Sequence, residues 1–177
     1  MNSFAVIEAL DQLRFDKVVY YSIRFLDHEN EISEFFDFLN RIEDISSVET
    51  DLGNLLQWIE EIGEKYGAIK SRFFRHESKD GEASALPPSK STMEFHEIIV
   101  EEHLRLYCLV ANEHVVFLFN GGIKTTKYPN DCPNVGKYFN QANLLTRKID
   151  ELFRDGSITW NDEGTDIVFN PELTIEL

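Results

Sequence analysis

The feature that most constrains this chain is a pair of largely apolar runs, residues 104–110 (L-R-L-Y-C-L-V) and 114–119 (H-V-V-F-L-F), parted only by Ala111-Asn112-Glu113. Runs of six or seven residues rich in β-branched and aromatic side chains read as strands, and so short a connection predicts an antiparallel hairpin. Gly121-Gly122 closes the second run. Residues 94–101 form a third strand candidate just upstream, which makes the set an antiparallel meander.

Upstream, residues 17–25 carry the V-V-Y-Y-S-I-R-F content of another strand, and residues 4–13 read as a short helix before it. Ile32, Phe35, Phe36, Leu39 and Ile42 fall on one face of a helix, and Leu52, Leu55, Leu56, Ile59 and Ile62 on one face of a second. The two predict a helical hairpin. Residues 75–92 hold Ser, Lys, Gly, Ala and a Pro-Pro pair and read as a long, flexible loop. After the meander, Leu144, Leu145, Ile149 and Leu152 mark a helix over residues 140–153, and residues 158–160 and 166–169 form a terminal hairpin. The fold class that follows is α+β: an N-terminal strand and helical hairpin packed on an antiparallel sheet meander, then a C-terminal helix and hairpin. Such an order excludes a doubly wound nucleotide fold, and neither G-x-G-x-x-G nor G-x-x-x-x-G-K-[ST] occurs.

At 177 residues the chain fits one domain. Its start lacks the basic and apolar regions of a signal peptide, and no run approaches a membrane span, so a cytoplasmic protein with no membrane partner is expected. Cys108 and Cys132 stand without C-x-x-C spacing and read as free thiols. His96, His103 and His114 have no ligand interval to a carboxylate, so neither a metal nor a cofactor is expected. A net charge of −15 disfavours a nucleic-acid partner on average. The average hides two basic islands: residues 65–90 hold six Lys or Arg against three acids, and residues 104–148 hold six against two. The acids concentrate over residues 29–64, where they read as the solvated faces of the two helices or as a surface for a basic partner.

The stretch from His103 to Pro129 resembles the last two strands of RelE/HigB-type toxins: an Arg entering a strand with an aromatic two or so residues on, a short turn, an aliphatic strand, then an aromatic or Gly and a Lys-rich exit. Arg105, Tyr107, Gly122, Lys124 and Lys127 fill that pattern, and the elements from Lys17 onward fit the family's opening strand and helical hairpin. The resemblance would span a core over residues 17–153 and leave an extension over 154–177. Where many members carry Glu-x-Arg in the preceding strand, this chain has Glu97-Ile98-Ile99. The resemblance implies a metal-independent mRNA endonuclease that acts with the ribosome and is partnered by an antitoxin. It implies catalytic roles for Arg105, Lys124, Lys127 and Tyr128, and RNA contacts through Tyr107, Arg72 and Arg75. The residue types suit that chemistry, because attack of a ribose 2′-hydroxyl on the next phosphate builds negative charge that fixed cations stabilise. Two alternatives stand beside it: Arg105 as a solvated residue on the outer face of a half-buried sheet, and the whole chain as a non-catalytic protein-protein interaction module on the same fold.

Overall fold

The computed structural model describes residues 2–77, 82–101, 103–125 and 132–177. Its architecture is α+β, built on a seven-stranded sheet. The strands are β1 (Phe4–Arg14), β2 (Val19–Phe25), β3 (Arg75–His76), β4 (Ser84–Leu86), β5 (Leu104–Asn112), β6 (Val115–Ile123) and β9 (Ile175–Glu176), in spatial order β3-β4-β5-β6-β2-β1-β9. Every neighbouring pair is antiparallel except β2 and β6, which run parallel with Val19 opposite Val115 and Tyr21 opposite Phe117. Strands β7 (Ile158–Trp160) and β8 (Ile167–Phe169) form a separate hairpin, as residues 158–160 and 166–169 predict.

The predicted 104–119 hairpin is β5 and β6. Its turn is tighter than Ala111-Asn112-Glu113, because Asn112 Oδ1 accepts from the backbone N–H of both His114 (2.8 Å) and Val115 (2.9 Å) and closes the chain around Glu113-His114. That apolar residues fill both faces of these runs has a direct cause: helices cover both faces of the sheet. Leu104, Leu106, Cys108, Val116 and Leu118 face α1 (Glu34–Glu43) and α2 (Glu49–Glu61), while Tyr107, Leu109, Val115, Phe117 and Phe119 face α5 (Gly136–Arg154). Ser33 caps α1, its Oγ accepting from the Phe36 N–H. Between α2 and Gly67 the helix widens into a π-turn over Ile62–Tyr66, and Gly67 ends it at φ +80. No helix among the described residues is long and apolar enough to cross a membrane.

Three expectations are corrected. Residues 4–13 form strand β1, not a helix. Their helix-favouring Ala, Glu and Leu are outweighed by pairing along β2, from Ala5 opposite Phe25 to Ala9 opposite Tyr21, with Glu8 bridging Arg24 at 3.1 Å. Residues 94–101 are not a strand. Helix α4 (Lys90–His96) occupies their first part, Glu97 turns the chain at φ +59, and Ile98 and Val100 are buried in irregular backbone. Trp58 Nε1 donates to the Ile98 carbonyl at 2.9 Å, and Glu101 N–H donates to Asp51 Oδ1 at 2.9 Å, so partners from α2 satisfy a backbone that needs no ladder. The meander's first strand is β4 instead, drawn from residues 75–92, which were expected to be one loop. Small Ser84 and Ala85 fit flush against Cys108 and Tyr107 of β5, with β3 beside them and α4 following. Within that stretch, residues 78–81 lie outside the described residues.

Candidate functional site

The sheet leaves one end of β3, β4, β5 and β6 together, and the first basic island meets the second there. Arg105 lies opposite Gly122 in the β5–β6 ladder, and Lys124, just past β6, donates its backbone N–H to the His103 carbonyl at 2.7 Å. The two glycines make this approach possible. A Cβ on Gly121 would stand 1.9 Å from the Arg105 carbonyl oxygen, and one on Gly122 would meet the Asn134 carbonyl at 3.1 Å.

Between the two cations sits Glu77, directly after β3. Arg105 Nε donates to Glu77 Oε1 at 2.6 Å, and Lys124 Nζ donates to Oε2 at 2.7 Å. All three side chains are nearly sealed from solvent, at 7% exposed for Arg105, 12% for Lys124 and 4% for Glu77. Arg105 is therefore not a solvated outer-face residue, since α5 and the segment leading into it close that face. Burial pushes the Glu77 carboxyl up, but the Arg105 and Lys124 charges outweigh it and hold the group below the usual carboxylate range. Arg75 completes the cationic cluster from β3. Its Nε donates to the carbonyls of Pro87 (2.9 Å) and Pro88 (3.0 Å), and burial together with the neighbouring Arg105 charge lowers its pKa.

Tyr107, two residues along β5 from Arg105 and so on the same face, is fully buried against Phe139 at 5.3 Å between ring centroids. Its hydroxyl has no hydrogen-bond partner among the described residues, and burial first, then the Glu77 charge, raise its pKa. Cys132 borders the same region. Burial pushes its thiol up, yet hydrogen bonds from the Thr125 hydroxyl and from the backbone N–H groups of Thr125, Asn134 and Val135 bring it down to about 7. Cys108, also a free thiol, is buried on the opposite face and pushed upward by burial. A cavity of about 530 Å³ opens beside the centre, lined among others by Arg75, Lys90, His103 and Arg105, with Glu94 and Glu101 at its wall.

Of the residues singled out from sequence, the fold brings Arg75, Arg105, Tyr107 and Lys124 into one region. Arg72 lies elsewhere: it is exposed on the short helix α3 (Lys70–Phe73), its guanidinium 5.0 Å over the Phe73 ring and 5.7 Å over that of Tyr66. Lys127 and Tyr128 lie outside the described residues. The histidines do not converge: His96 packs in an aromatic cluster with Trp58, Tyr66 and Phe73, His114 Nδ1 lies 2.9 Å from the Lys17 carbonyl, and His103 lines the cavity. No group of three metal-capable side chains occurs among the described residues.

Sequence reasoning missed Glu77, the residue on which the centre turns. The only local signal was Arg75 and Glu77 at period two, short for a strand and hidden in a stretch that reads as loop.

A second polar pocket of about 350 Å³ lies between α1 and the start of α5. There Asn120 of β6 donates to Glu34 Oε2 (2.9 Å) and Asp37 Oδ2 (2.8 Å) and accepts from Arg41. Burial, partly offset by the Asn120 hydrogen bond, raises the Glu34 pKa. This network fixes α1 to the sheet. Compared with known proteins, the chain matches no family model, no curated protein and no solved structure.

Proposed function

We propose that this chain is a RelE/HigB-like toxin-related protein that engages RNA phosphate at the Arg105–Lys124 pair, with an antitoxin as its protein partner. The observation that carries this reading is convergence. Two cations from adjacent strand ends hold the two oxygens of one carboxylate at 2.6 and 2.7 Å, the arrangement by which two cations would clamp the non-bridging oxygens of a phosphate. Arg75 adds positive charge, and Tyr107 offers a buried hydroxyl without a partner among the described residues. On this reading the cations stabilise the charge that builds on phosphorus during 2′-hydroxyl attack.

A second reading, a non-catalytic interaction module on the same fold, has its own observations. Glu77 already occupies both cations, and Phe95 (79% exposed) and Ile99 (41%) stand exposed among Glu94, Glu97 and Glu101, a surface suited to a basic partner.

Tightly controlled expression, with growth and transcript integrity measured together, separates the two. The toxin reading expects growth arrest with cleaved mRNA, lost on the order of a hundredfold in Lys124→Gln and Arg105→Lys. Arg105→Lys keeps a charge on Glu77 while removing the guanidinium fork, so the fold is spared. Normal growth with intact transcripts at high soluble expression overturns it in favour of the module.

A further inference from the structure

We infer that Glu77 is an internal occupant of an oxyanion site, and that inorganic phosphate or a phosphodiester takes the place of its carboxylate on Arg105 and Lys124. This rests on the reading of that pair as a phosphate site and adds what controls access to it.

The argument begins with charge. Arg75, Arg105 and Lys124 stand within one buried region, and among the described residues Glu77 alone forms ion pairs with any of them. Arg75 spends its Nε on two proline carbonyls and shares the Glu77 charge, so one carboxylate serves three cations there, with Glu94 and Glu101 at the wall of the neighbouring cavity. A low-dielectric cluster with excess positive charge attracts a further anion, because each cation there is shielded little by water. A phosphate dianion on Arg105 and Lys124 would balance the cluster better than one carboxylate does.

Geometry supplies the route. Arg105 belongs both to the Glu77 pair and to the lining of the 530 Å³ cavity, so the cavity borders the pair at Arg105, while Lys124 and Glu77 lie outside that lining. Among the described residues the Tyr107 hydroxyl has no hydrogen-bond partner, and the Glu77 carboxylate does not reach it. A tetrahedral phosphate has oxygens to spare for it. The Gly121-Gly122 approach fixes the Arg105 and Lys124 backbones against each other, so the two cations keep their spacing when the occupant changes.

The test uses the whole chain as wild type, Glu77→Gln and Glu77→Ala, with thermal unfolding followed in rising sodium phosphate and in sodium chloride of equal ionic strength. Wild type, where Glu77 competes for the site, is expected to gain from phosphate over chloride only slightly beyond the general stabilisation that an excluded kosmotropic salt gives a fold. The two variants, with their cations unpaired, are expected to melt lower in chloride and to regain roughly 5 °C or more in phosphate, with a fitted Kd. Glu77→Gln keeps the side-chain volume and Glu77→Ala clears the space, so phosphate rescue of either one supports the inference. Three results overturn it: variants no more responsive to phosphate than wild type, a wild type that gains as much from phosphate as the variants, or variants that stay unfolded at high phosphate. RNA cleavage by the same proteins separates this inference from the reading beneath it. Phosphate rescue with no cleavage by any of them keeps the exchange and removes the toxin function, whereas cleavage by wild type without phosphate rescue does the reverse.

Discussion

Replacing Gly121 by Ala tests the sheet and the cationic centre at once. The added Cβ would lie 1.9 Å from the Arg105 carbonyl oxygen and 2.8 Å from its carbon, both backbone atoms held in the β5 ladder. Separations below 3.0 Å are essentially never seen for a real Cβ, so the two strands must part by about an ångström where no flexible side chain can yield. That opens the β5–β6 ladder beside the Arg105–Gly122 pair, and the cost is expected to be about 3 kcal/mol or more. For a chain of this size it corresponds to a fall in Tm of roughly 6–12 °C. Gly53, exposed in the interior of α2 with nothing within 4 Å of its would-be Cβ, supplies the matched control. Gly53→Ala should stabilise by about 0.5–1 kcal/mol, because alanine restricts the unfolded chain and favours helix. Calorimetric or circular-dichroism melts of the two variants beside wild type should therefore move in opposite directions. A Gly121→Ala protein melting within a degree of wild type would refute the close approach of β5 and β6 at Arg105.

Two further outcomes follow from the buried titratable groups. The Glu34 pKa is raised in the folded state, so the folded protein holds the proton more tightly than the unfolded chain. Its contribution is full below the unfolded value and is lost as pH rises through the folded one, so Glu34→Gln should gain stability relative to wild type between about pH 4 and pH 7; a relative loss over that range, in urea titrations, would contradict the assignment. Cys132, 2% exposed with its thiol drawn to about 7, and Cys108, fully buried with its thiol pushed up, should both resist iodoacetamide in the native protein at about pH 8 and label only on unfolding in urea, as peptide mass mapping would show; rapid native labelling of either would refute that burial.

How much was legible in the sequence depended on whether local pattern and tertiary environment agreed. The β5–β6 hairpin and the two amphipathic helices were readable because burial on one face or both imposes its period on the residues themselves. Residues 4–13 misled because Ala5, Glu8, Ala9 and Leu10 are tolerable in a helix, and only pairing with β2 decides against it. Residues 94–101 misled in the opposite sense: Ile98, Ile99 and Val100 look like a strand, but the Ile98 and Ile99 carbonyls accept from Trp58 and Asn54 of α2, 40 and 45 positions upstream. At the candidate site the cations were visible as an Arg and a Lys at the ends of a hairpin. Their carboxylate was not, because Glu77 precedes Arg105 by 28 positions and Lys124 by 47, and no local pattern encodes that meeting.

The parallel register of β2 on β6 also sets the order in which this chain can acquire its structure. Residues 19–21 meet their partners only at residues 115–117, so the centre of the sheet stays open until most of the chain has left the ribosome. Until then β1 and β2 can pair as a hairpin and α1 and α2 can form locally, but Tyr20, Phe35, Phe38 and Trp58, all buried in the finished core, have no β5–β6 surface to cover them. Closing a loop of that length comes before its contacts are gained, which places this protein among slow, late-closing folders with an apolar, aggregation-prone nascent half. A nascent chain halted before β6 should accordingly recruit holdase chaperones, and extension past residue 123 should release them.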